Sequence, residues 1–161
     1  MKLIIFLILC DKLIQSNIFV STNRKPCIMG RFVVHDYHTT SVFEFTEIQR
    51  WDSSFIDAVV NIRYKFIERT ISSVNNWSCS IGCLSTFLTQ LTTIYKDLKG
   101  TAELYSDDAD VLRITMNEFG HIRVQIEDGI RGYNGFVQVG FEMDQSFLPE
   151  VIDQIKSLLS D

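Results

Sequence analysis

Along residues 55–70, apolar and polar positions alternate. Ile56, Ala58, Val60, Ile62, Tyr64 and Phe66 share one parity, Asp57, Asn61, Arg63 and Lys65 the other, and Val59 is the exception. A period of two marks a strand with one buried face. The run is longer than a usual strand, so a bulge or bend is expected inside it. Polar residues 72–78 then break the pattern. From Ile81 the period changes. Ile81, Leu84, Phe87, Leu88, Leu91, Ile94, Tyr95 and Leu98 recur at helical spacing. Ser78 or Ser80 offers a capping hydroxyl, Lys96 and Lys99 oppose the helix dipole, and Gly100 supplies a left-handed stop.

Short strands follow. Residues 101–105 read as a strand and 106–110 (SDDAD) as an acidic turn. Residues 111–117 and 121–127 alternate, with Leu112, Ile114, Met116, Ile122, Val124 and Ile126 inward. Glu118-Phe119-Gly120 joins them as a hairpin loop in which Gly120 takes positive φ. Residues 128–135, with glycines at 129, 132 and 135, form a longer loop, and 136–143 the last strand, with Val137, Val139, Phe141 and Met143 on one face. Ser146 caps a closing helix that tolerates Pro149 in its first turn and buries Leu148, Val151, Ile152, Ile155, Leu158 and Leu159. Upstream, 31–37 and 41–48 read as strands, with turns at 38–40 and 51–54.

Strands joined by short turns are antiparallel. The expected fold is therefore α+β, an antiparallel β-meander sheet with two amphipathic helices packed on one face. No internal repeat and no low-complexity tract is legible. Residues 23–30 (NRKPCIMG) read as a linker, which divides an N-terminal extension, 1–30, from a single α+β domain, 31–161. The extension has two readings. Lys2 and the apolar run LIIFLILC look like the core of a signal peptide, but no small-x-small cleavage site follows and Asp11 and Lys12 come at once. The alternative is a buried strand followed by another near residues 14–20. The run is too short to span a bilayer.

Composition narrows the function classes. At 161 residues and 46% hydrophobic, the chain can fill a core. A net charge of −5 disfavours direct nucleic-acid binding and suits a basic protein partner. Cys79 and Cys83 stand four apart at a helix start, without the second close pair or nearby His of a zinc site, and Cys10 and Cys27 are far from them. They read as isolated thiols, with a reactive thiol at the helix N-terminus as the rarer option. His35, Asp36 and His38 are close in sequence, but on a strand His35 and His38 face opposite ways, and His121 stands alone. Asp107, Asp108 and Asp110 are spaced like the start of a calcium loop, yet the glycine and distal Glu of such a loop are missing. The three glycines of 129–135 lack the Lys-Ser/Thr pair of a phosphate loop. Neither a cofactor nor a metal is expected, nor catalysis.

Three stretches carry a family resemblance. LSTFLTQLTTIYKDLKGTAEL, a helix ending at glycine before a strand with a small and an acidic residue, resembles the helix-to-strand junction of the WapI-type immunity proteins. LRITMNEFGHIRVQIED is similar to that family's hairpin, and VQVGFEMDQSFLPEVIDQIKSLL to its closing strand, turn and helix. The similarity covers about residues 43–159 and is best from Leu84. It implies a non-enzymatic cytoplasmic immunity protein that binds and neutralises the C-terminal toxic domain of a cognate, secreted, WapA-like polymorphic toxin, often a nuclease. The family supplies no catalytic residues. On this reading the partner-binding candidates are the loop acids Asp107, Asp108, Asp110, Glu118 and Asp128, aimed at a basic cleft. Two rivals stand beside it. One is a small-molecule or structural binding domain with an unrelated partner, which needs an apolar pocket between the long helix and the sheet. The other is a secreted protein whose first twenty residues are a signal.

Overall fold

The computed structural model describes residues 27–38, 40–50, 53–117, 119–129 and 136–160. The apolar run near the start and the strand expected at 14–20 lie outside the described residues. In chain order the elements are β1 (Cys27–His35), β2 (Val42–Arg50), β3 (Phe55–Phe66), β4 (Arg69–Ser80), α1 (Ile81–Asp97), β5 (Gly100–Tyr105), β6 (Val111–Met116), β7 (His121–Gly129), β8 (Phe136–Asp144), a 3₁₀ turn (Gln145–Phe147) and α2 (Leu148–Ser160). All strand neighbours are antiparallel. The class is α+β, as expected, and the meander is divided into two four-stranded sheets, β1-β2-β3-β4 and β5-β6-β7-β8. The 17-residue α1 explains the division, because it carries the chain about 25 Å from the end of β4.

Several local expectations are corrected. The alternating run does not bend. It stops at Phe66, reverses through Ile67 and Glu68, and returns as β4 with no shift of register from Phe55↔Ser80 to Phe66↔Arg69. The polar stretch 72–78 is thus a strand. It escapes the apolar pattern because β4 is a sheet edge whose buried side chains are Trp77 and Cys79. Bulges fall elsewhere, in the β1–β2 pairing around Gly30 and in the β2–β3 pairing between Thr46 and Gln49. β1 starts at Cys27, earlier than the alternation suggests. β7 runs on to Gly129, so the expected loop is shorter at its start.

The helix ends follow the same physics with different residues. Ser80 caps α1, its Oγ accepting the Cys83 N–H at 3.1 Å. The left-handed stop is Leu98, at φ 56°, with its N–H bonded to Ile94 O at 2.8 Å. Asp144, not Ser146, caps the closing segment, its Oδ1 accepting the Ser146 N–H at 2.8 Å. Gly120 has the expected positive φ, 79°.

Both sheets and both helices feed one core, which includes Phe32, Phe43, Phe45, Leu84, Phe87, Leu91, Ile114, Ile122, Leu148 and Ile155. Each such side chain contributes roughly 1.5–3 kcal/mol by leaving water. Phe32 stacks on Phe45 at 4.1 Å, Phe45 meets Trp77 edge-on at 5.4 Å, and Phe43 reaches Phe141 of the other sheet at 4.9 Å.

The element order is ββββα twice, and the repetition extends to individual atoms. Gly30 in β1 and Gly100 in β5 both take positive φ, 132° and 123°. Three positions on, Val33 and Glu103 each donate a backbone N–H to a helix glutamine: Val33 to Gln154 Oε1 at 2.8 Å and Glu103 to Gln90 Oε1 at 2.9 Å. One turn beyond each glutamine, Leu158 and Ile94 cover the two glycines. A Cβ at Gly30 would lie 3.4 Å from Leu158, and one at Gly100 3.5 Å from Ile94. Buried positions correspond as well, Leu84 with Leu148, Phe87 with Val151 and Leu91 with Ile155. Each half therefore lends its helix to the first strand of the other half. Replacing Gln90 or Gln154 by Ala leaves one strand-edge N–H unsatisfied and should cost about 1–2 kcal/mol in urea unfolding for either site. Equal losses at the two positions are expected.

The β1–β2 turn rests on Asp36. Its Oδ1 accepts the Thr40 N–H at 2.8 Å, and its Oδ2 accepts the Thr40 hydroxyl at 2.6 Å and the Ser41 N–H at 3.1 Å. Partial burial opposes the charged form, but the bonds from Thr40 and Ser41 outweigh it and hold the carboxyl below its ordinary range. The folded pKa lies below the unfolded one, so this stabilisation is complete above the unfolded value and is lost as pH falls through the folded value. Asp36→Asn should lower stability by about 1 kcal/mol near neutrality. That difference should hold down to roughly pH 5 and shrink below roughly pH 4 in pH-dependent denaturation.

Candidate functional site

The acidic turn is built around Ser106. Its Oγ accepts the N–H groups of Asp108 at 3.1 Å and Asp110 at 3.0 Å, and donates to Asp110 Oδ2 at 3.1 Å. The Ser106 N–H closes the turn onto Asp110 O at 2.9 Å, and Ala109 takes φ 71° between them. Ser106 and Asp110 are buried, 8% and 7% exposed. Asp110 thus holds the turn from inside, while Asp107 and Asp108 face solvent. The calcium-like spacing of the carboxylates has a structural use, since Asp110 turns onto Ser106.

The turn is fixed to the other sheet. The Asp107 N–H donates to Ser78 O of β4 at 2.8 Å. This places Asp108 at the rim of an open groove of about 310 Å³, with Glu47, Gln49, Asp57, Asn76 and Ser78. Glu47 reaches the groove because β2 has one extra residue between Thr46↔Val59 and Gln49↔Asp57, and Glu47 takes φ 50° there. Acidic residues from three separated segments therefore line one groove on the first sheet. Glu47 and Asp57 were absent from the acids expected at the surface loops. Both lie within strands, and nothing in the sequence pattern marks the bulge.

Of the other expected acids, Asp128 is not among the residues that line this groove. Glu118 lies outside the described residues, and its neighbours Asn117 and Phe119 stand at the far end of β6 from the acidic turn. Asp128 pairs with Val137 near the end of β7. The outer face of the second sheet neutralises itself. Arg113 bridges Glu103 at 2.6 Å and Glu127 at 2.8 Å, and Gln138 adds a bond to Glu127 at 3.1 Å. The Tyr105 hydroxyl and the Arg113 guanidinium hold the Glu103 carboxyl below its usual range.

The remaining chemical candidates are tied up structurally. Burial, with the neighbouring Cys83 and Asp107, pushes the Cys79 thiol up to about 12, which keeps it protonated and inert at neutral pH. Cys83 packs against the core from the helix flank. His35 Nδ1 lies 2.8 Å from Asp36 O and its ring stands edge-on to Phe147, while Asp36 is occupied by the turn. Among the described residues no three His, Cys, Asp or Glu side chains gather as a metal set, and no helix is long and apolar enough to cross a membrane. The space between α1 and β5, lined by Gln90, Ile94 and Gly100, measures about 160 Å³. Ligand pockets usually measure about 300–1,000 Å³.

No curated protein sequence matches the chain. A chain from the crystal structures of Trypanosoma brucei MRP1/MRP2 aligns over 80% of this chain and 83% of its own length, at 11% identity and a TM-score of 0.46. The model of the immunity protein WapI-like family matches residues 31–161. The chain belongs to the WapI-like immunity protein family.

Proposed function

We propose that this chain neutralises the C-terminal toxic domain of a cognate secreted polymorphic toxin by binding it, without catalysis, in the bacterial cytoplasm. Membership of the WapI-like family carries this reading. A nuclease target fits the charge. Nuclease clefts are basic to hold phosphates, and this chain carries −5 overall. The groove edged by Glu47, Asp57 and Asp108 offers acceptors for the Arg and Lys side chains of such a cleft, and its open shape suits protein side chains better than an enclosed small molecule. Asp107 extends the same negative edge. Asp110 serves it indirectly, by fixing the turn.

The test is co-purification with the toxin domain encoded immediately upstream. A stable complex that blocks the toxin's activity is expected, and failure to form one overturns the proposal. Within such a complex, the triple substitution Glu47→Gln, Asp57→Asn, Asp108→Asn should slow association about tenfold in low salt, and the difference should fade as salt is raised. Intact-mass measurement of the mature chain tests the location. An uncleaved N-terminus is expected, and cleavage within the first twenty-odd residues would place the protein outside the cytoplasm.

A further inference from the structure

The sheet edges are not protected alike. Gln154 of α2 bonds to the outer strand β1, and Gln90 of α1 to the outer strand β5. The outer strand β8 carries the charges Glu142 and Asp144. On β4 the described residues place such devices only at the ends, Arg69 at one and the acidic turn bonded at Ser78 at the other. From Thr70 to Ser80 it contains no charged residue and no proline, its pairing with β3 has no bulge, and the described residues place no further strand beside it. Proteins normally blunt such an edge, because its free N–H and C=O groups pair with any available strand.

The direction of the free groups follows from one bond. Ser78 O accepts from Asp107, so Ser78 points outward. In an antiparallel strand, outward residues alternate. Thr70, Ser72, Val74 and Asn76 therefore point outward too. Exposed apolar side chains mark the same stretch, with Ile71 at 50% and Val74 at 69%.

Charge decides the occupant. The hairpin end of β4 is basic, with Arg63, Lys65 and Arg69 against Glu68. The other end is acidic, with Glu47, Asp57 and Asp108 around the groove and Asp107 bonded at Ser78. An antiparallel pairing of β4 with a second β4 sets the basic end of each copy beside the acidic end of the other. We propose that β4 is a homodimer interface, in which two copies pair antiparallel about Ser73 to form one continuous eight-stranded sheet. In that register Thr70 lies opposite Asn76 of the second copy and Ser72 opposite Val74, so outward groups meet outward groups. The pairing is isologous and closes on itself. The acidic groove serves both this pairing and the toxin-binding proposal, but the mass of the free chain tests the pairing without the toxin.

Sedimentation velocity and light scattering of the full chain, at concentrations from about 1 to 100 µM, should show a species of twice 18.6 kDa. Ser72→Pro removes an outward N–H and leaves the β3–β4 ladder intact, so it should give a folded monomer by circular dichroism. Val74→Lys places like charges near the two-fold axis and should raise the dimer Kd at least tenfold, which covers the case of a misfolded proline variant. Ser73→Cys should cross-link rapidly under mild oxidation. A wild-type monomer at 100 µM, or a dimer indifferent to both substitutions, overturns the proposal. So does a monomer whose toxin complex is lost in Ser72→Pro, because the edge would then belong to the toxin.

Discussion

The fold depends on an exchange of edge protection between its halves. A strand at the rim of a sheet has backbone N–H groups that must be satisfied wherever the core approaches. Here a glutamine on a helix supplies the acceptor, and the helix comes from the opposite half. Val33 takes it from Gln154, and Glu103 from Gln90. The helix sits close to a glycine of each strand, with Leu158 over Gly30 in β1 and Ile94 over Gly100 in β5. Neither ββββα unit can retain this arrangement alone. Phe43 and Phe141 reinforce the same coupling across the sheets.

Both helices commit their apolar faces to the core. The outer faces of the two sheets differ in electrostatic character. On the second sheet, Glu103, Arg113, Glu127 and Gln138 satisfy one another in a ladder. On the first, a bulge in β2 and the docked acidic turn bring carboxylates together around a groove. The proposed binding of a basic toxin and the acidic balance of the chain are both consistent with this second arrangement.

Strongly periodic segments were legible in the sequence. The stripe of α1, the β6–β7 hairpin and α2 rest on burial, and burial leaves a pattern in residue type. β4 is not legible, for the complementary reason. As an edge it buries Trp77 and Cys79, so Ser72 to Asn76 show no alternation of polarity. The internal repeat was missed because it is kept by geometry. Gly30 and Gly100, with Gln90 and Gln154, are the shared residues, while neighbours such as Phe32 and Ala102 share burial and differ in volume. The acidic turn was found by composition, but the buried role of Asp110 depends on Ser106 Oγ. Glu47 and Asp57 join the groove through a register change that depends on pairing between distant segments.

The exchanged helices make the two halves one cooperative unit. Native-state hydrogen exchange at the Val33 and Glu103 amides tests it directly, since each is held by the other half's glutamine. Both amides are expected to show the same opening free energy and the same denaturant dependence, equal to global unfolding. Exchange of one amide through a markedly lower-energy opening while the other stays protected would contradict it.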